Sequence, residues 1–290
     1  AFEIAPPAGY PLAHLKRALG RDPHSLTERL DGDTYTAAVR TGPDQTPALL
    51  RLRFAGDRIQ VSTTPPRAPE AHAMVVALLG LDQDAPAFAR LARKLGLARL
   101  VAGREQLRLP QTPSVFDGLL WAIIGQQINL PFAFQLRRRL TELTGTPFAD
   151  GLHAPPTPAA VAALSPEDLK PLQFSRAKAA CVIDTARLVA TGRLDLDALR
   201  AMSATRVERT LLAIRGLGPW SVNYLMMRSL GFADCVPLGD TGVTSGLRTL
   251  FDLDERPDTD ATKRLMAVFA PHRSLATAHL WQLHQPAPDQ

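Results

Sequence analysis

Between residues 34 and 64 the chain alternates apolar and polar side chains in three runs, TYTAAVRT (34–41), ALLRLRFA (48–55) and RIQVSTT (58–64). A period of two predicts half-buried strands, and the turn-rich stretches 42–47 and 55–57 separate them. A helical stripe over 11–19 precedes the strands, so the beginning of the chain reads as a small antiparallel α+β unit. Pro65, Pro66 and Pro69 then interrupt the pattern. From about residue 70 the period changes to that of helices, predicted over 70–80, 85–95, 114–128, 131–143, 158–163, 166–171, 176–190, 195–199, 204–213, 220–230, 241–251, 258–269 and 274–283. Short loops rich in Gly and Pro join them, and no fixed-period repeat points to a solenoid. The expected fold class is α+β, with an N-terminal α+β domain over 1–82 and a mainly helical region of two subdomains over 83–290.

Composition narrows this picture mainly by exclusion. The 290 residues include 46% apolar and 21% charged side chains, the profile of a globular protein. Two cysteines, Cys181 and Cys235, are too few for a disulfide framework, a four-thiolate zinc site or an iron–sulfur cluster held by protein ligands alone. The histidines show no metal-ligand spacing with them, and no G-x-x-x-x-G-K-[ST] loop is present, so neither a metal nor a nucleotide cofactor is expected. No apolar run is long enough to span a bilayer, and the first residues lack the basic-then-apolar layout of a signal peptide, so a cytoplasmic location and no membrane partner are expected. A monomer is the simplest oligomeric expectation. The formal net charge of +5 carries little weight as a total, because only 5 of the 33 basic residues are Lys and Asn occurs twice, a bias that fits a GC-rich genome. Its distribution says more. Residues 71–145 hold 9 basic and 5 acidic side chains, whereas 146–290 hold 15 of each. The run Arg137–Arg138–Arg139 belongs to this excess and reads as a solvated basic face.

The stretch 203–243 is the most informative. Ser203 stands where a helix N-cap is expected, Gly216 and Gly218 flank Leu217 in a tight reversal, and Pro219 occupies the favoured first position of the next helix. Such a hairpin points backbone N–H groups at a helix N-terminus, a place that binds phosphate without reading a base. A hairpin that only packs accounts for the spacing equally well. Asp240, in the Gly-rich VPLGDTGV segment 22 residues after Gly218, would by itself read as the N-cap of the helix that follows.

The arrangement as a whole resembles the helix-hairpin-helix glycosylases of base-excision DNA repair. LLWAIIGQQIN at 119–129, FSRAKAA at 174–180 and APHRSLATAHLW at 270–281 are similar to motifs of the AlkA-type 3-methyladenine DNA glycosylases, in the family's order over roughly 111–290. The resemblance implies that Gly216, Leu217 and Gly218 grip DNA backbone and that Asp240 is catalytic. It implies an aromatic base pocket from Trp220, Tyr224 and Trp281, and a groove lined by Gln126 and Gln127, with Gln127 where relatives carry the wedge that fills the gap left by a flipped nucleotide. Relatives that also cut the strand carry a Lys just past the hairpin. Here Trp220 stands there and no Lys occurs between Lys178 and Lys263, which implies a monofunctional enzyme releasing alkylated purines from double-stranded DNA. Trp121, inside an apolar run, is expected in the core, and Arg273 in a structural pair. The aromatic that the family contributes from its N-terminal domain has no counterpart near 14–19. Two alternatives remain: a glycosylase of the superfamily for another damaged base, and a non-catalytic DNA-binding hairpin. The second gives no use for a carboxylate beside DNA.

Overall fold

The alternating runs pair as strands in the computed structural model of the chain, which describes residues 1–42 and 44–284. Pro43, inside a predicted turn, and 285–290, at the end of the predicted helical region, lie outside the described residues. The N-terminal elements are β1 (Phe2–Ile4), α1 (Leu12–Leu19), β2 (Glu28–Asp31), β3 (Thr34–Thr41), β4 (Thr46–Ala55) and β5 (Arg58–Thr64), followed by α2 (Ala68–Leu79). They form a five-stranded antiparallel sheet in the order β1-β5-β4-β3-β2. The long β3–β4 ladder sets Tyr35 opposite Leu52 and Ala37 opposite Leu50, so one face is continuously apolar. Leu15 and Leu19 of α1 and Val75, Leu78 and Leu79 of α2 cover that face. Sequence periodicity missed β1 and β2: three or four residues are too short for a period, and pairing with β5 and β3 supplies what local pattern does not.

The helical region comprises α3 (Ala85–Lys94), α4 (Ala98–Val101), α5 (Val115–Ile124), α6 (Leu130–Thr144), a two-residue strand pair β6 (Thr146–Pro147) and β7 (His153–Ala154), α7 (Pro158–Ala162), α8 (Pro166–Leu169), α9 (Arg176–Ala190), α10 (Ala204–Leu212), α11 (Pro219–Arg228), α12 (Thr241–Leu250), α13 (Thr259–Ala267) and α14 (Arg273–His284). The helix predicted over 195–199 is instead a short 3₁₀ turn at Ala198–Ala201. Asp195 Oδ1 accepts the N–H groups of Asp197 and Ala198 at 3.0 Å, a local bond that competes with helix initiation. Two apolar clusters fill this region. One joins α5, α6, α9, α10 and α11. The other joins α3, α4, α12, α13 and α14. Trp281 packs against both, which places it on the seam between them.

The basic run at 137–139 is not the solvated face that its sequence predicts. Arg137 Nη1 pairs with Glu28 at 2.9 Å, Arg138 Nη1 with Asp22 at 2.8 Å, and Arg139 Nη1 donates to the Leu172 carbonyl at 3.1 Å. Three successive helical residues point 100° apart, so each finds a different neighbour. The first two bind the sheet unit to α6. The charge excess of 71–145 is thus spent partly on internal pairing.

Candidate active site

The reversal after α10 closes on the helix beneath it. Gly216 adopts φ +94°, and a Cβ there would lie 2.7 Å from Cys181 Sγ of α9, so both torsion and space require glycine. Leu217 buries its side chain in the core, and its N–H donates to the Ile214 carbonyl at 3.1 Å. Leu217 therefore anchors the turn and does not present the backbone donor that the motif predicts. The N–H groups of Gly218 and Trp220 have no partner among the described residues, and nothing lies within 4 Å of a Cβ built on Gly218. Gly218 leaves room, whereas Gly216 is required by packing. Pro219 opens α11 at its first turn. Ser203 does precede α10, but its side chain makes no capping hydrogen bond.

Gln126 and Gln127 follow the end of α5 and diverge in role. Gln126 Nε2 donates to the Gly216 carbonyl at 2.9 Å and to Ser221 Oγ at 2.8 Å, tying the Gln segment to the hairpin. It is a brace rather than a groove-facing amide. Gln127 is exposed, with φ +54°. That left-handed conformation stops the helix and lets the side chain stand clear of it. Below them, the buried Lys178 amine donates to the carbonyls of Ile123 (3.1 Å), Ile124 and Gln126 (3.0 Å), closing the free end of α5.

Asp240 is held from three directions. Oδ1 accepts the Val243 N–H at 3.0 Å, the N-cap bond of α12, and Trp281 Nε1 at 2.9 Å from α14. Oδ2 accepts Trp220 Nε1 at 3.1 Å from α11. N–H donors on both oxygens suit a carboxylate, and the N-terminus of α12 adds a partial positive charge. Gly242 makes the Trp281 contact possible, since a Cβ there would meet Trp281 Cδ1 at 2.6 Å. Trp220 and Tyr224 stack with ring centroids 5.2 Å apart at 26°, and Tyr224 lies 6.2 Å from Trp281. The structure thus brings Asp240, Trp220, Tyr224 and Trp281 together.

These groups line a cavity of about 560 Å³, a size typical of ligand pockets. Trp121 lines it too and is not the core residue its apolar surroundings predict. It is half-buried, and its Nε1 donates to the Tyr224 hydroxyl at 3.1 Å. The cationic character of the opposite wall was not identified from sequence. The wall comes from α1 and the residues just past it, His14, Arg17, Ala18 and Arg21, with Arg228 and Gln282 beside them. The spacing 14, 17, 18, 21 is one helix face opposite Leu15 and Leu19, a signal readable in the sequence once the sheet side of α1 is assigned. Burial, then Arg17 and Arg228, pulls His14 down to about 4, so its imidazole is neutral at physiological pH.

Among the described residues no lysine or cysteine lines the cavity. Cys181 and Cys235 are buried, and burial pushes both thiols above their ordinary pKa, Cys235 to about 12. Among the described residues no group of His, Cys, Asp or Glu could hold a metal ion. Arg273 forms the expected structural pair, with Nε and Nη2 on the two Asp234 oxygens at 2.6 and 2.7 Å.

Residues 120–272, more than half of the chain, match the family model described as HhH-GPD superfamily base excision DNA repair protein. Among relatives, the DNA-3-methyladenine glycosylase of Bacillus subtilis is 31% identical over 211 residues, covering 70% of this chain and 68% of that protein. DNA-3-methyladenine glycosylase 2 of Escherichia coli is 28% identical over 67% of this chain and 66% of its own length, just under two thirds. A solved 3-methyladenine DNA glycosylase from Archaeoglobus fulgidus superposes with a TM-score of 0.81 over 97% of both chains, at 20% identity, a likeness of fold that includes the N-terminal sheet unit.

Proposed function

The chain belongs to the HhH-GPD superfamily of base excision DNA repair proteins, and from that premise we propose that it is a monofunctional DNA glycosylase. It hydrolyses the N-glycosidic bond of alkylated purines of the 3-methyladenine kind, flipped out of duplex DNA, and leaves an abasic site. The observation that carries this reading is the Asp240 carboxylate, fixed by the Trp220 and Trp281 indoles at the wall of an aromatic cavity. The names of the relatives from Bacillus subtilis and Escherichia coli point to the same substrate class.

In this mechanism, the free N–H groups of Gly218 and Trp220 receive a phosphate of the lesion strand. Gln127 enters the gap that the flipped nucleotide leaves, and Gln126 keeps that segment in register with the hairpin. The base enters the cavity lined by Trp220, Tyr224 and Trp281 and meets their ring surfaces. A cationic base gains roughly 0.5–2 kcal/mol from each aromatic face it meets. As the C1′–N bond breaks, positive charge spreads over the sugar ring, and Asp240 stabilises it and orients the attacking water. An alkylated purine that is already positive departs neutral, so it needs no general acid. The absence of lysine from the cavity wall supports hydrolysis by water rather than a Schiff base.

The reading extends to a monomer acting in the cytoplasm; among the described residues no helix is long and apolar enough to cross a membrane. Incubation with methylated duplex DNA, followed by chromatography of the free bases, tests the substrate class. Release of methylated purines is the expected result, and release of no base would overturn it. Borohydride trapping of a covalent protein–DNA adduct would overturn the monofunctional assignment.

A further inference from the structure

The last backbone carbonyls of a helix have no partner within it, and a buried helix end must satisfy them elsewhere. Three carbonyls at and just past the end of α5 are taken by one side chain. Lys178, on the first turn of α9, is buried and donates from Nζ to Ile123 at 3.1 Å, to Ile124 and to Gln126 at 3.0 Å. Burial draws its pKa down to about 8, so at neutral pH the amine is protonated and offers three N–H groups to three carbonyls. The bond to Gln126 reaches beyond the helix. That carbonyl belongs to the planar peptide group whose nitrogen is that of Gln127. Lys178 therefore fixes the plane from which Gln127 turns to φ +54°, a torsion that a residue with a side chain holds only where its surroundings impose it.

The same face of α9 supports the hairpin. Cys181 stands one turn on from Lys178, and its Sγ lies 2.7 Å from where a Cβ on Gly216 would be, so the reversal rests directly on the helix. Gln126 Nε2 closes the arrangement from above by donating to the Gly216 carbonyl at 2.9 Å. One helix thus carries both segments assigned to DNA, the hairpin through Cys181 and the Gln segment through Lys178. We propose that Lys178 is a positioning residue for base release from duplex DNA: its three hydrogen bonds hold Gln127 beside the hairpin in the conformation from which the side chain enters the stack. This rests on the glycosylase reading and on Gln127 as the wedge. Lys178 is buried and does not line the base cavity, so it acts through the Gln segment alone. A helix cap with no further role would affect paired and unpaired substrates alike, since both need α5 folded. A hold on Gln127 matters only where a gap must be filled.

Single-turnover release from a methylated duplex and from the same strand unpaired tests this in the wild type, Q127A, K178M and the double variant. Methionine keeps an unbranched apolar stem and removes the donors. Thermal melting reports folding in parallel. K178M should lower the ratio of duplex to single-strand release by about threefold to tenfold, the span of coupling between residues that act together. On the duplex, the double variant should be no slower than Q127A alone. K178Q, which keeps two donors, should lie between the wild type and K178M, and it carries the same cycle if K178M does not melt cooperatively. Equal loss on both substrates, an unchanged ratio, or losses that multiply in the double variant overturn the positioning role of Lys178. Loss of cooperative melting in both Lys178 variants makes it a folding residue and also overturns that role. A duplex rate unchanged in Q127A removes the wedge and the proposal with it, whereas no release by the wild type overturns the glycosylase function itself.

Discussion

Replacing Asp240 with Asn separates what this residue contributes to folding from what it contributes to chemistry. The amide keeps the shape, and Asn caps helices about as well as Asp, so Oδ1 can still accept from Val243 and Trp281. The Nδ2 amide must then face Trp220 Nε1, donor against donor, where the carboxylate accepted at 3.1 Å. One hydrogen bond to a charged acceptor is worth about 1.5–3 kcal/mol, less where water reaches the group, and the lost interaction with the α12 dipole adds about 0.3–1 kcal/mol. A net destabilisation of about 2 kcal/mol follows, a fall in Tm of about 3 °C for a chain of this size. Catalysis loses both charge stabilisation and water orientation, each worth about a hundredfold or more, so single-turnover base release should fall by about 10³-fold or further. Stopped-time release from methylated duplex, with fluorescence anisotropy on an abasic-analogue duplex, reads the two effects separately. Release within tenfold of wild type, or loss of folding and DNA binding together with release, would refute the catalytic role of Asp240.

Gly216→Ala forces a methyl group against Cys181 Sγ and a residue with a side chain into φ +94°. It should cost about 2–3 kcal/mol in denaturant unfolding, of which Cys181→Ala in the same chain restores the steric part only. Gln127→Ala should slow base release from duplex several-fold while changing release from single strands little, since only the duplex has a gap to fill; equal slowing on both would remove the wedge role. The Arg273 hydrogen bonds hold the Asp234 carboxyl below the usual carboxylate range. A depressed folded-state pKa contributes stability that is full above the unfolded value near pH 4 and disappears as pH falls through the folded value. Arg273→Met should therefore flatten the acid limb of stability against pH below about pH 4, and an unchanged slope in urea melts would exclude the pair as its source.

Sequence periodicity located the central strands and most helices because long segments with one buried face carry their own signal. It failed where neighbours decide. β2 has a single apolar residue, Leu30, and becomes a strand because Glu28 to Asp31 lie in register with Thr34 to Ala37. Motif resemblance placed Asp240, Trp220, Tyr224 and Trp281 in one site, and side-chain geometry then divided residues that the motifs treat alike. Leu217 faces the core while its flanking glycines form the turn, and Gln126 braces while Gln127 projects. Trp121 was misread because an apolar run hides which of its members meets a polar partner across the interface, here the Tyr224 hydroxyl. The part of the cationic wall that α1 supplies lay outside the motif region.

For Asp240, the structural and functional readings are not alternatives. An N-cap residue leaves the helix with extended torsions, here φ −68° and ψ 124°, and folds its side chain back over the first turn. Capping uses Oδ1, leaving Oδ2 to another element. That element is α11, through Trp220, while α14 reaches Oδ1 through Trp281. The carboxylate therefore bridges helices from both apolar clusters, at the seam where Trp281 packs against each. A group fixed by rigid elements on either side needs little reorganisation when charge develops beside it, the condition under which electrostatic stabilisation is strongest. The remaining side of the cavity is supplied by α1, whose apolar face is committed to the sheet and whose other face carries His14, Arg17 and, just past its end, Arg21. Two parts of the chain thus divide the work. Asp240 and the indoles line one side of the cavity, and the sheet unit, pinned to α6 by Arg137 and Arg138, lines the other through α1.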